Sequence, residues 1–272
     1  MTNETGILET NGARIYYEVE GSGAAVVFIH AGVADLRMWD DQVAALRDQY
    51  RLIRYDTRGF GRTETDGVPF SNRADIAELL DHLGEERAHV VGLSRGAMIA
   101  LDFAIESPDR VRSLAVAGGG IGGYQSPDEL PEDTFVEADR LLDAKDWEGI
   151  SEWETAFWAD GPNQPANRLD PEVRAKVHDW ILSNYRAEKE EGQPQPLDPS
   201  AIGRLGELRA PVLVMYGTLD DPGTSESMRH LAETVPDARL EAFEGAAHMM
   251  NLEQPERFNT VLGEFLDAQR TG

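Results

Sequence analysis

The stretch Val90-Val91-Gly92-Leu93-Ser94-Arg95-Gly96 decides how this chain is read, because it runs β-branched residues straight into a serine with a glycine two residues away on either side. A serine on a strained turn between strand and helix needs small neighbours, and glycine, which lacks a Cβ, meets that need. Its hydroxyl would project beyond the sheet. The helix that follows would offer unpaired N–H groups near any carbonyl the hydroxyl attacks. Five residues alone are a weak pattern, so the surroundings carry the inference.

Those surroundings alternate. Short strand patterns at 6–10 and 13–20, joined by Asn11-Gly12, predict a hairpin. A nearly continuous apolar run at 24–30 predicts a strand covered on both faces. Helical periodicity follows at 37–49, a strand at 52–56, an amphipathic helix at 72–83, the strand before Ser94 at 89–93 and a helix at 96–105. Another buried strand is expected at 111–117. The rhythm then breaks: 125–206 holds no comparable strand, only helical patterns at 132–142, 147–158 and 171–185. It resumes with a strand at 211–217, a helix at 225–235, a strand at 238–243 and a helix at 255–268. Strands alternating with helices predict an α/β fold with a mostly parallel sheet between helical layers. The expected organisation is a core from 1–120 and 207–272, with a helical cap at 121–206.

Composition narrows the function. Fifty acidic against 25 basic residues give a formal charge of −25, which repels phosphate backbones and anionic membranes, so no nucleic-acid or membrane partner is expected. The excess suits either general solubility or a saline habitat. The chain has no cysteine, which excludes disulfides, a thiolate nucleophile and cysteine-ligated metals. The polar opening residues and the absence of a long apolar run predict a cytoplasmic protein.

A serine hydroxyl becomes a nucleophile only when a base removes its proton, and that base needs a carboxylate to fix its tautomer. Ser94, Asp220 and His248 stand in the order nucleophile, acid, base, each shortly after a predicted strand. Asp221 is the immediate rival of Asp220, and Asp221-Pro222 also reads as a turn or helix cap. The oxyanion of an acyl-transfer intermediate needs two N–H donors. Arg95 supplies one from its backbone, and Gly32, in the turn after the 24–30 strand, is the expected second, with Ala31 and Val33 as its neighbours. His30 suits bonding to that loop. The Arg95 guanidinium suits either a substrate carboxylate or a salt bridge within this acidic chain.

The chain resembles the α/β-hydrolase fold superfamily over nearly its whole length. The resemblance rests on His30-Ala31-Gly32, Tyr55-Asp56-Thr57-Arg58-Gly59-Phe60-Gly61-Arg62-Thr63, Gly92-Leu93-Ser94-Arg95-Gly96, Gly217-Thr218-Leu219-Asp220, Gly245-Ala246-Ala247-His248 and Glu253-Gln254-Pro255. It implies an eight-stranded sheet with helices on both faces, an antiparallel second strand and a cap inserted after the sixth. Within the superfamily the chain is most similar to small-molecule esterases, enol-lactone hydrolases and cofactor-free haloperoxidase-like enzymes. Ala31 and Ala247 stand where glycine is common, and Arg95 where methionine, glutamine or histidine is more usual. A serine rather than an aspartate nucleophile argues against an alkyl-enzyme route.

The expected activity is therefore a serine hydrolase acting on a carboxylic ester or lactone of a small, partly apolar molecule, with no metal or organic cofactor. Perhydrolysis, carbon–carbon cleavage and a ligand-binding signalling role are the alternatives. Trp147, Trp153, Phe157, Trp158, Trp180 and Tyr185 are candidates for an apolar roof over the substrate, with His30, Val33 and Trp39 contributing from the core side. At helical spacing the same rings could simply attach cap to core. The sequence leaves monomer or homo-oligomer open.

Overall fold

Alternate residues of each apolar run face opposite layers, and this sorts the chain into a covered sheet. The computed structural model describes residues 3–166 and 168–269. Its main strands are β1 (Asn3–Thr10), β2 (Ala13–Gly21), β3 (Ala24–Ile29), β4 (Tyr50–Tyr55), β5 (Ala88–Leu93), β6 (Val111–Ala117), β7 (Val212–Gly217) and β8 (Arg239–Phe243). They lie in the order β1-β2-β4-β3-β5-β6-β7-β8, and a two-residue strand, Glu64–Thr65, pairs with β2 off this path. β2 is antiparallel to β1 and β4; the remaining neighbours in the order are parallel.

The longer helices are α1 (Asp40–Leu46), α2 (Asn72–His82), α3 (Arg95–Glu106), α4 (Val136–Asp143), α5 (Trp147–Glu154), α6 (Pro171–Ala187), α7 (Pro222–Thr234) and α8 (Pro255–Ala268), and a single turn, Met250–Glu253, precedes the last of them. On one face of the sheet, Val26 and Phe28 of β3 join a core with Val43 of α1 and Phe258 and Leu262 of α8. On the other, Val27 and Ile29 join Ile76 and Leu79 of α2, Phe103 of α3 and Leu231 of α7. Proline opens α6, α7 and α8, where a missing N–H carries no penalty. Among the described residues no helix is long and apolar enough to cross a membrane.

Between β6 and β7 the chain leaves the main sheet and forms α4, α5 and α6. A two-residue ladder between Pro69–Phe70 and Gln193–Pro194, not foreseen from the pattern, ties this insertion back to the core. The helix expected over 147–158 is not uniform: α5 gives way to a π-helical stretch, Thr155–Asp160. The Ser151 hydroxyl donates to the Trp147 carbonyl at 2.6 Å, and that of Thr155 to the Ser151 carbonyl at 2.7 Å. Such bonds compete with the α-helical ladder. The helices expected at 37–49 and 132–142 likewise open with 3-10 turns, Leu36–Trp39 and Glu132–Phe135.

The loop after β4 is held by buried charge. Asp56 accepts from the N–H groups of Leu36 and Arg62 at 2.9 and 2.7 Å. Arg58 is buried and pairs with Asp75 of α2 through two bonds of 2.7 and 2.9 Å. Removing one partner strands the other charge away from water. Asp75→Ala is therefore expected to cost about 3–5 kcal/mol, read as a lowered urea midpoint; an unchanged midpoint would show that the pair contributes nothing.

Candidate active site

β5 ends at Leu93 and α3 begins at Arg95, so Ser94 alone makes the turn, at φ 58° and ψ −121°. This left-handed backbone is strained for a residue with a Cβ, by about 1–3 kcal/mol. The flanking glycines are sterically required. A Cβ on Gly92 would stand 2.1 Å from the Gly96 carbonyl oxygen, and one on Gly96 would stand 2.1 Å from that of Ile29. The first turn of α3 thus presses directly on the end of β3. Ser94 N–H donates to the Ala117 carbonyl at 2.8 Å, which ties the turn to the end of β6.

Asp220 follows β7 and is buried, as is His248, in the loop after β8. His248 Nδ1 lies 2.9 and 3.0 Å from the two carboxylate oxygens of Asp220. Asp221 points elsewhere: its carboxylate accepts from Thr224 N–H at 2.8 Å and caps α7, while its own N–H donates to Asp220 at 2.7 Å. The neighbouring aspartates therefore divide two tasks, one facing the imidazole and one starting the helix.

The Gly118-Gly119 turn joins this pair to Ser94. A Cβ on Gly118 would sit 3.3 Å from both Asp220 Oδ2 and His248 Nδ1, and one on Gly119 would sit 3.3 Å from the Ser94 carbonyl oxygen. Ser94 and the Asp220–His248 pair thus flank one two-residue turn. The Ser94 hydroxyl has no hydrogen-bond partner among the described residues.

Of the loop donors, Ala31 N–H is already directed at Met38 Sδ, 3.2 Å away. The N–H groups of Gly32, Val33 and Arg95 have no protein acceptor among the described residues. His30 is buried, with Nδ1 2.7 Å from the Ala31 carbonyl and Nε2 accepting from Thr57 N–H at 3.0 Å. Both ring nitrogens are used by the loops, and burial pushes the imidazole pKa down to about 4, holding it neutral. The Arg95 guanidinium forms no salt bridge among the described residues; its Nη1 donates to Thr57 Oγ1 at 2.7 Å. Among the described residues no group of three or more His, Asp or Glu side chains is arranged to hold a metal ion.

A family model for the alpha/beta hydrolase fold matches residues 24–255. The chain belongs to that family. Its relatives include 3-oxoadipate enol-lactonase 1 of Acinetobacter baylyi, 26% identical over 98% of this chain and 99% of that protein. Another is a 2-hydroxy-6-oxo-6-phenylhexa-2,4-dienoate hydrolase of Comamonas testosteroni, 28% identical over 93% of this chain and 91% of that one. Among solved structures, a thermophilic esterase from Thermogutta terrifontis superposes with a TM-score of 0.77 at 26% identity, covering 99% of this chain and all of that one.

The aromatic side chains of this α/β hydrolase separate into groups. Trp158, on the π-helical stretch, lies over His248 with ring centroids 4.6 Å apart. Trp147 and Tyr185 stack at 5.6 Å and line a cleft of about 400 Å³ together with Gly32, Val33 and Phe60. Trp153 and Phe157 stack on each other and line a separate cavity with Leu130, Pro131 and Pro162. Trp180 is buried against the core. Trp39 lines neither cavity: the 3-10 turn Leu36–Trp39 directs it into the core, where it packs on Phe28 and Phe258.

Sequence reasoning missed Glu154, which lines the same cleft as Gly32 and accepts from the Tyr185 hydroxyl at 2.8 Å. Its place at the start of the π-helical stretch could have drawn notice only once that stretch was known. Burial holds its carboxyl at about 7 rather than 4.5. The folded state therefore keeps a proton that the unfolded chain has released, so Glu154 lowers stability as pH rises from 4.5 to about 7. Glu154→Gln can still accept from Tyr185 but does not titrate. Between about pH 4.5 and about pH 8, Tm is expected to fall more for the parent than for this variant; parallel calorimetric curves would refute the assignment.

Proposed function

We propose that this α/β hydrolase cleaves a carboxylic ester or lactone of a small, partly apolar molecule through an acyl-enzyme on Ser94. His248 takes the Ser94 proton as Oγ bonds to the substrate carbonyl, and Asp220 holds the imidazole and stabilises its positive charge. The oxyanion of the tetrahedral intermediate accepts from the N–H groups of Arg95 and Gly32. As the intermediate collapses, the acyl–oxygen bond breaks and His248 gives its proton to the departing alkoxide. Water, losing a proton to the same imidazole, then attacks the acyl-enzyme and releases the acid with Ser94 restored.

The observation that carries this reading is the His248–Asp220 pair, set across Gly118-Gly119 from a serine held on a left-handed turn. The inserted helices act as the cap, with Trp158 shielding His248 and the Trp147–Tyr185 face closing the cleft beside Gly32. Those aromatic walls favour apolar parts of a substrate.

Incubation with short-chain p-nitrophenyl esters and quenching is expected to leave an acyl mass on the peptide containing Ser94, absent in Ser94→Ala. Esterase activity that survives Ser94→Ala would sink the nucleophile assignment. Asp220→Asn is expected to lower kcat by about 10⁴-fold through the wrong imidazole tautomer. Asp221→Asn should instead keep kcat within a few fold and cost about 1 kcal/mol of stability or less at the helix cap. Equal kinetic losses in the two variants would overturn this division. A panel of lactones, peroxide acceptors and carbon–carbon hydrolase substrates separates the other reaction classes.

A further inference from the structure

The Arg95 side chain is a cation fixed beside the nucleophile without an ion-pair partner among the described residues. It leaves the start of α3 and crosses Gly32, where an added Cβ would stand 3.5 Å from Arg95 Cδ. The guanidinium carbon lies 4.9 Å from the Phe60 ring centroid, and Nη1 donates to Thr57 Oγ1 at 2.7 Å. Thr57 is itself fixed, with its N–H donating to His30 Nε2 and its Oγ1 3.0 Å from the same nitrogen. This chain orients the fork. It does not neutralise it.

Carboxylates lie nearby, Asp75 and Glu191 among them, yet none forms an ion pair with this guanidinium among the described residues. Asp75 gives both oxygens to Arg58. Glu191 lines the same cleft as Gly32 and Phe60 but is exposed, with its stem along Gly59, where an added Cβ would meet Glu191 Cγ at 2.6 Å. Asp102 lines the same cavity as Arg95 but lies two turns further along α3, about 10 Å along the helix axis. In a chain with 50 acidic and 25 basic residues, the missing partner is no matter of supply. Burial pushes the Arg95 pKa below its ordinary value, and the charges of Glu191 and Asp75 offset that only in part.

One cavity is lined by this side chain, and another is lined by residues it touches. The cleft of about 400 Å³ includes Gly32 and Phe60, against whose ring the guanidinium rests. A second cavity of about 340 Å³ is lined by Arg95 itself with Met98, Ile99, Gly122 and Leu197. We infer that the Arg95 guanidinium binds a carboxylate carried by the substrate, so that the preferred ester or lactone is an anion. The inference deepens the acyl-transfer reading by naming its substrate class. A planar fork with free donors matches a carboxylate in a way that a lysine ammonium does not. A purely structural arginine, held by Thr57 and Phe60, would give no dependence on ligand charge.

The test uses Ser94→Ala, titrated calorimetrically with the monomethyl esters of succinate, glutarate and adipate and with the matching dimethyl esters. For at least one chain length the monoester is expected to bind about tenfold more tightly than its neutral diester. Adding Arg95→Met should reduce that ratio to near one, and Arg95→Lys should retain part of it. Equal binding of monoester and diester, or a preference that persists in Arg95→Met, overturns the inference. Should Arg95→Met fail to fold by circular dichroism, Thr57→Val keeps the cation but removes its anchor and is expected to weaken the preference; an unchanged ratio counts against the site. Binding to Ser94→Ala requires no turnover. Charge-selective binding without hydrolysis by the parent protein would sink acyl transfer alone, while hydrolysis without charge selectivity would sink only the anion site.

Discussion

Close approach of main chain to main chain governs this site. Gly92 and Gly96 let the first turn of α3 rest on the carbonyls at the end of β3. On the neighbouring side, a Cβ on Gly119 would stand 2.6 Å from that of Ala97. The same device recurs at Gly217, where a Cβ would stand 2.2 Å from the Ala247 carbonyl oxygen and 2.5 Å from that of Ala246. With no side chain between them, these segments have little room to slide or rotate. The separation of the loop after β3, the serine turn and the histidine loop is fixed by the backbone, and the side chains they carry inherit it.

Much of this was legible because it depends on local rules. Apolar runs and the glycine spacing around Ser94 located the strands and the turn, and the resemblance supplied the number of strands and the antiparallel β2. Proximity of two aspartates in sequence could not say which faces an imidazole. That depends on α7 starting at Pro222, which enlists Asp221 as its cap. Trp39 reads equally well as a pocket wall or a core residue from its position after β3, and only the direction of a 3-10 turn decides. The π-helical stretch was hidden because it accompanies back-bonding by Ser151 and Thr155, whose hydroxyls have no fixed preference in a helical pattern.

Charge is distributed with a similar division of labour. The formal excess of acid reads from composition as a solubility feature, yet several basic side chains are spent inside the architecture. Arg54 bridges Glu18 of β2 and Asp40 at the start of α1. Arg58 and Asp75 lock the loop after β4 to α2, and Arg174 of α6 reaches buried Asp160 at the end of the π-helical stretch. Composition cannot distinguish a cation locked in an ion pair from one held only by neutral groups. The contacts of individual arginines separate Arg58, paired with Asp75, from Arg95, held by Thr57 and Phe60.

Arg168 gives the insertion a mechanical character. Its Nε and Nη2 donate to the carbonyls of Asp160 and Ala159, and its Nη1 to the Gly245 carbonyl and to Glu253. Glu253 in turn accepts from Ala247 N–H at 2.8 Å, next to His248. One guanidinium therefore rivets the end of the π-helical stretch to the loop that carries the imidazole. A hinge that lifted α4 and α6 from the core while sparing this rivet would leave Trp158 seated on His248 and admit a molecule from the flank. One that lifted the stretch itself would pull on the loop that holds His248 in the same motion.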